Sequence, residues 1–136
     1  MKTISKMTAL LSLPALALAS CANAETGESA EDAGFTVTEM GEFERPWAIE
    51  FIPGSTTLAI TEKEGRLWLM KADGSKRTEV AGVPEVAFGG QGGFGDVAFL
   101  ESEADVEGPR TIYLSWVEMG ENDTRGAVLG RGMLVC

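Results

Sequence analysis

The stretch Gly90-Gln91-Gly92-Gly93, with Gly95 close behind, has the residue types most suited to holding a ligand. The spacing Gly90-x-Gly92-x-x-Gly95 matches the dinucleotide-binding pattern letter for letter. That pattern works only where it follows a strand and opens a helix, so that a phosphate meets the helix N-terminus. Here the glycines run into Asp96-Val97-Ala98-Phe99, a strand pattern, and no Lys-Ser or Lys-Thr pair follows to make a phosphate loop. The nucleotide reading is set aside. What remains is a loop of small residues that lets a planar ligand approach the backbone. Gln91 presents an amide there that can donate and accept. A plain flexible connection between two repeats is the competing reading.

Little else in the chain is equipped for catalysis. It has no histidine, the usual general base near neutral pH. Its two cysteines are Cys21, in the leader, and Cys136, the last residue, so no internal pair staples the domain. A thiol also needs a neighbour to ionise it, and no histidine is present to help. Glu62 and Arg66 flank the turn Lys63-Glu64-Gly65 and read as an exposed hairpin pair worth about 0–1 kcal/mol. The acids between Glu101 and Glu107 lack the Asp-x-Asp-x-Asp-Gly order of a calcium loop. Asn122-Asp123-Thr124 spells a glycosylation acceptor, set aside because the leader is of bacterial type. Trp47, Trp68 and Trp116 each fall within a strand pattern and are expected in its core.

The elements that must position Gln91 are strands. Trp47–Phe51, Leu58–Glu62 and Arg66–Met70 alternate β-branched and aromatic residues with polar ones, joined by turns rich in glycine. Thr78–Gly82 suits an outer fourth strand. Asp96–Phe99, Ile112–Trp116 and Ala127–Val135 then repeat the series, with Phe51 and Phe99 in matching places. Gly130 and Gly132 in the last strand suggest a bulge or a close backbone approach. Phe35–Met40 alternates enough for a further strand, and no segment after residue 24 keeps a helical period. Strand repeats of about 40–50 residues are the signature of β-propeller blades. The expected fold is therefore all-β, an incomplete propeller of about two blades over residues 35–136. Closed propellers need at least about four. Two open sheets leave apolar faces wet, so marginal stability is expected.

Residues 1–24 read as an export signal: Lys2 and Lys6 are followed by an apolar stretch from Met7 to Ala19, too short to span a bilayer. Two cleavage readings stay open. Leu18-Ala19-Ser20-Cys21 fits a lipobox that would lipidate Cys21 and anchor the chain to a membrane, and Ala22-Asn23-Ala24 fits ordinary cleavage. Both place the protein in the periplasm. Residues 25–34, acidic and small, read as a flexible tether. The chain carries a net charge of −10, which becomes −12 once the two leader lysines are gone. Such a charge repels nucleic acid and anionic lipid.

Four segments also occur in a familiar order: Pro46-Trp47-Ala48-Ile49-Glu50-Phe51-Ile52-Pro53-Gly54, Thr61-Glu62-Lys63-Glu64-Gly65-Arg66-Leu67, Gly82-Val83-Pro84-Glu85-Val86 and Gly90-Gln91-Gly92-Gly93. Together they resemble the start of the glucose/sorbosone dehydrogenase family, soluble aldose sugar dehydrogenases that use pyrroloquinoline quinone (PQQ). The resemblance implies a six-bladed propeller, a sugar substrate, PQQ and calcium as cofactors, and oxidation of the aldose C1 hydroxyl to a lactone. It carries one site residue across, Gln91, onto the pocket glutamine near cofactor and sugar. Phe94 and Gly95 depart from the paired leucines common there. The family's catalytic histidine, its cofactor-clamping cations and its calcium ligands are expected in later blades, so this chain is expected to be inert alone and to bind no cofactor. Three accounts are compatible: a truncated dehydrogenase, a reading frame broken near Gly130, and a small exported binding module that self-associates through its open sheet edges.

Overall fold

The computed structural model describes residues 34–136. Seven strands form within the unit Thr38–Cys136: β1 (Pro46–Phe51), β2 (Thr57–Glu62), β3 (Arg66–Lys71), β4 (Arg77–Glu79), β5 (Phe94–Phe99), β6 (Arg110–Met119) and β7 (Arg125–Leu134). They make two antiparallel sheets, one in the order β1-β2-β3-β4 and the other β5-β6-β7. No α-helix occurs among the described residues. Single 3-10 turns at Glu101–Glu103 and Glu121–Asp123 lie in the two loops that the sequence marks as polar.

The two sheets are built to one plan. In the first, Phe51 pairs with Leu58, Ile49 with Ile60 and Pro46 with Glu62. In the second, Phe99 pairs with Ile112, Val97 with Leu114 and Phe94 with Trp116. The register slips once in each, between Pro46 and Ala48 and between Phe94 and Val97, so both innermost strands start with a bulge at the same place. Such bulges sharpen the local twist. The repeat read from the sequence is therefore real at the level of register.

Side chains alternate across each sheet, and this alternation builds the core. Ala59 and Leu67 on one face of the first sheet pack with Phe94, Val97, Ile112 and Leu134 of the second, joined by Ile52. Each large apolar side chain buried there contributes about 1.5–3 kcal/mol. On the opposite face of the first sheet, Leu58, Ile60 and Met70 form a smaller cluster with Phe43 and Trp68 against it. Both sheets remain open. Ile49 and Phe51 on β1 and Leu129 and Met133 on β7 are more than half exposed. Two consecutive blades of an unfinished propeller fit this arrangement.

Three expectations are corrected, the first being that Trp47 is core: it is 58% exposed. Phe35–Met40 forms no strand, because no neighbouring edge pairs with its backbone. The outer strand stops at Glu79. Val80 N–H still bonds Leu67 O at 2.8 Å, but Gly82, at φ +80°, turns the chain away. Of the two readings of the β7 glycines the bulge falls away, since the ladder with β6 runs unbroken from Arg110–Leu134 to Met119–Arg125. Gly130 serves the other reading, a close approach. The Trp116 indole lies over Gly130, where a Cβ would fall inside the ring's van der Waals surface.

Candidate functional site

The glycine loop is held at the junction of the sheets, and each of its glycines has a separate reason. Gly89 and Gly92 exchange backbone hydrogen bonds of 3.3 and 2.9 Å, enclosing Gly90 and Gln91 as a two-residue turn. Gly90 has φ +56°, while Gln91 stays at negative φ. Positive φ at the first central position alone is the arrangement of a type II′ turn, which calls for glycine there. A Cβ on Gly93 would stand 2.6 Å from the Lys63 carbonyl oxygen. Only glycine lets the loop come so near the β2–β3 turn.

Backbone and side-chain bonds then fix the loop from both sides. Phe94 N–H donates to Lys63 O at 2.8 Å, and Val117 N–H donates to Gly93 O at 3.0 Å. Thr61, fully buried, donates through its hydroxyl to Gly95 O at 2.7 Å and accepts Ala48 N–H at 3.1 Å. One hydroxyl thus ties β1, β2 and β5 together. Lys63 Nζ reaches Gly90 O at 3.5 Å while lying 5.0 Å from the centre of the Trp47 ring. Arg125 Nη1 reaches Gly89 O at 3.4 Å from the other sheet. Gln91 stands exposed at the tip of this turn.

The result is a polar amide presented on a pinned turn, with Lys63 and Arg125 at its sides. In a chain of net charge −10, two cations at one loop form a local positive rim suited to an anionic, planar ligand. Lys63 and Arg125 were not singled out from the sequence. Lys63 sits in a turn and Arg125 ends a polar loop, and only the packing of one sheet on the other brings them to the glycines.

Glu62 and Arg66 are not the exposed pair the turn suggested. Glu62 is buried, 3% exposed, because the Glu44 backbone and Arg66 cover it. It accepts Glu44 N–H at 2.6 Å and Arg66 Nε at 2.5 Å, and Arg66 also reaches Glu44 and Glu64. Burial pushes the Glu62 carboxyl up, but the Trp68 indole, Arg66 and Glu44 N–H outweigh it and hold the pKa below the ordinary carboxylate value. Trp68 Nε1 itself is buried without a hydrogen bond of ordinary geometry, so its help is that of a nearby dipole. Arg45 pairs with Glu64 and lies 5.2 Å from the Phe88 ring, tying the same corner to the segment before the glycine loop. This network is structural: both partners' charges are consumed in holding the β2–β3 turn.

Whether these residues suit the cofactors implied by the resemblance can be judged from the donor set. The Gln91 amide with the Lys63 and Arg125 cations fits an anionic quinone in kind. Calcium is different. Among the described residues no group of three or more His, Cys, Asp or Glu side chains is placed to hold a metal ion. The acids beside the loop, Glu62 and Glu64, are engaged by Arg66 and Arg45. Cys21, the candidate lipidation site, lies outside the described residues.

Two repeating four- and three-stranded sheets joined at a glycine loop define consecutive blades of a β-propeller. The family model "Glucose / Sorbosone dehydrogenase" matches residues 43–136, and the chain belongs to that family. The aldose sugar dehydrogenase YliI of Escherichia coli (strain K12) is 34% identical over 91 residues, which cover 67% of this chain and 24% of that protein. A crystal structure of a glucose dehydrogenase superposes with a TM-score of 0.63 at 35% identity, covering 71% of this chain and 28% of the other. The soluble aldose sugar dehydrogenase of Escherichia coli in its apo form gives a TM-score of 0.57 at 33% identity, covering 65% and 25%. The chain thus spans about a quarter of the length of the relatives it matches.

Proposed function

We propose that this chain is the glycine-loop portion of a PQQ-dependent aldose sugar dehydrogenase, whose reaction is oxidation of an aldose at its C1 hydroxyl to the lactone. Family membership supports the reaction class, and the observation that carries the reading is the exposed Gln91 amide on a turn pinned by Lys63 and Arg125. Gln91 would orient a sugar hydroxyl or a quinone carbonyl by hydrogen bonding, and the two cations would favour an anionic cofactor. PQQ, when bound, accepts the two electrons leaving C1. Taking up the hydroxyl proton needs a base, and residues 1–136 contain no histidine. Alone, the chain is therefore catalytically silent.

The leader adds a location to this reading. Export to the periplasm, by ordinary cleavage after Ala24 or with lipidation of Cys21, suits an enzyme acting on free sugars outside the cytoplasm.

Two experiments test the proposal. The purified chain, given glucose, PQQ, Ca²⁺ and an artificial electron acceptor, should show no turnover, and turnover would refute the silence. Residues 43–136 grafted in place of the matching segment of the Escherichia coli aldose sugar dehydrogenase should give an active hybrid. Gln91→Ala in that hybrid should lower kcat/KM by about 10-fold or more, the worth of one hydrogen bond to a reacting group. An active hybrid indifferent to Gln91→Ala would remove Gln91 from the pocket.

A further inference from the structure

Lys63 reaches the glycine turn from the first sheet, and its backbone is fixed on both sides. Its N–H donates to Arg45 O at 3.1 Å, and its carbonyl accepts Phe94 N–H at 2.8 Å. The side chain has no such hold. Its ammonium meets Gly90 O only at 3.5 Å, and a four-carbon stem at the surface samples many rotamers. What else confines it is the Trp47 ring, whose centre lies 5.0 Å from Nζ. Of the aromatic side chains, an indole attracts a cation over its face most strongly.

Two departures from regular strand geometry put the indole there. Trp47 is the extra residue of the β1 bulge: Pro46 pairs with Glu62 and Ala48 with Thr61, leaving Trp47 without a partner across the ladder. A bulge re-aims one side chain out of the strand's alternation. Just before it, Arg45 stands at φ +47°, a left-handed conformation that non-glycine residues seldom adopt, and a residue before proline otherwise stays extended. Strain of this kind persists where surrounding contacts hold it, and it gathers at ligand sites. The second sheet makes its own bulge with Gly95 and Asp96, so the irregularity by itself calls for no aromatic residue. Core packing does not call for one either, because Trp47 joins neither buried cluster of the described residues.

We propose that Trp47 is a positioning residue for the cofactor: its indole holds the Lys63 ammonium beside Gly90, so that positive charge at the Gln91 turn is in place before an anionic quinone binds. This role rests on the dehydrogenase reading given above. Fixing a long side chain in advance removes its ordering cost from the binding step and so raises affinity. Trp47 acts through Lys63 alone. Cofactor affinity should therefore depend on it, and sugar recognition should not.

PQQ affinity is measured by titration calorimetry in the hybrid described above, and sugar KM at saturating PQQ. Trp47→Leu should weaken PQQ binding by about 2- to 5-fold, the worth of a cation over an exposed ring, with sugar KM unchanged. Trp47→Phe should recover most of the loss. Lys63→Gln should also weaken binding, and adding Trp47→Leu to it should cost nothing more, whereas a merely structural role for the indole would persist without the ammonium. Losses that add, or equal PQQ affinity with and without Trp47, would overturn this inference and leave the dehydrogenase reading standing. A hybrid that binds no PQQ would overturn both. In the unaltered chain the Lys63 ε-methylene protons should resonate upfield of an ordinary lysine's, through the ring current of the indole, and Trp47→Leu should return them. An ordinary shift there would show the ammonium free of the ring and overturn the inference without recourse to the cofactor.

Discussion

The Thr61 hydroxyl donates to the Gly95 carbonyl at 2.7 Å, joining the middle of the first sheet to the strand that leaves the glycine loop. The same oxygen accepts Ala48 N–H, so one buried side chain serves both innermost strands. Thr61→Val keeps the shape and removes both bonds, leaving a half-buried carbonyl and a half-buried N–H without this partner. A loss of about 1–3 kcal/mol is expected, read as a lower urea midpoint, whereas Thr61→Ser should recover most of it. Equal midpoints for Val and Thr would show that the hydroxyl is incidental.

Gly93 and Gly90 should respond differently to alanine. At Gly93 a methyl group meets the Lys63 carbonyl 2.6 Å away, and rigid backbone must move for it to fit. At Gly90 nothing lies within 4 Å, and only the positive φ is strained, at about 1–2 kcal/mol. Gly93→Ala should therefore lose more stability and separate the loop from the β2–β3 turn. Faster amide exchange at Phe94, whose N–H bonds Lys63 O, is the direct reading of that separation.

Acid should weaken the fold partly through Glu62. Its folded pKa lies below the ordinary value of 4.5. Such a group stabilises the folded state fully above the unfolded pKa, and the contribution fades as pH falls from there through the folded value. Glu62→Gln removes this source of pH dependence, so its urea midpoint should fall less steeply below pH 4.5 than that of the unaltered chain. Near neutral pH the variant should be less stable by about 1–3 kcal/mol, the worth of hydrogen bonds to a charged group. Parallel acid profiles for the two proteins would show that Glu62 does not titrate within the folded state.

Gly130→Ala should disturb Trp116, since the added methyl has no room beneath the indole. Overpacking of this kind costs about 1–3 kcal/mol. A shifted tryptophan emission with the β6–β7 ladder still formed is the expected outcome. Gly126→Ala, with nothing within 4 Å, is the matched control and should leave emission unchanged.

The strands were legible because their alternation is a local property. Trp47–Phe51, Leu58–Glu62 and Arg66–Met70 each lie within the observed strands to within a residue, and the matching of Phe51 with Phe99 holds in the register. What the sequence hides depends on the packing of one sheet against the other. Glu62 looks like a surface acid until Arg66 and the Glu44 backbone close over it. Lys63 and Arg125 are ordinary cations until the sheets meet at the glycine loop. Phe35–Met40 shows the opposite failure: alternation is present, but a strand also needs an edge to pair with. Gln91 could be picked out because its glycine neighbours are conspicuous, whereas the bonds that hold its turn, apart from the Gly89–Gly92 pair, come from residues more than twenty positions away.

Glu62 opposes Pro46 in the first sheet as Trp116 opposes Phe94 in the second. At that shared address one unit has an anion locked to Arg66 and the other an indole resting on Gly130. The units are thus cast from one mould but are not interchangeable. Duplicating the first unit in place of the second would set the Glu62–Arg66 ion pair where the groove between the sheets is lined by Ile112, Leu114 and Trp116, and burying that charge costs more than the apolar contact it replaces. Position in the series is written into each unit, which gives a repetitive chain a means of keeping its parts in order as it folds.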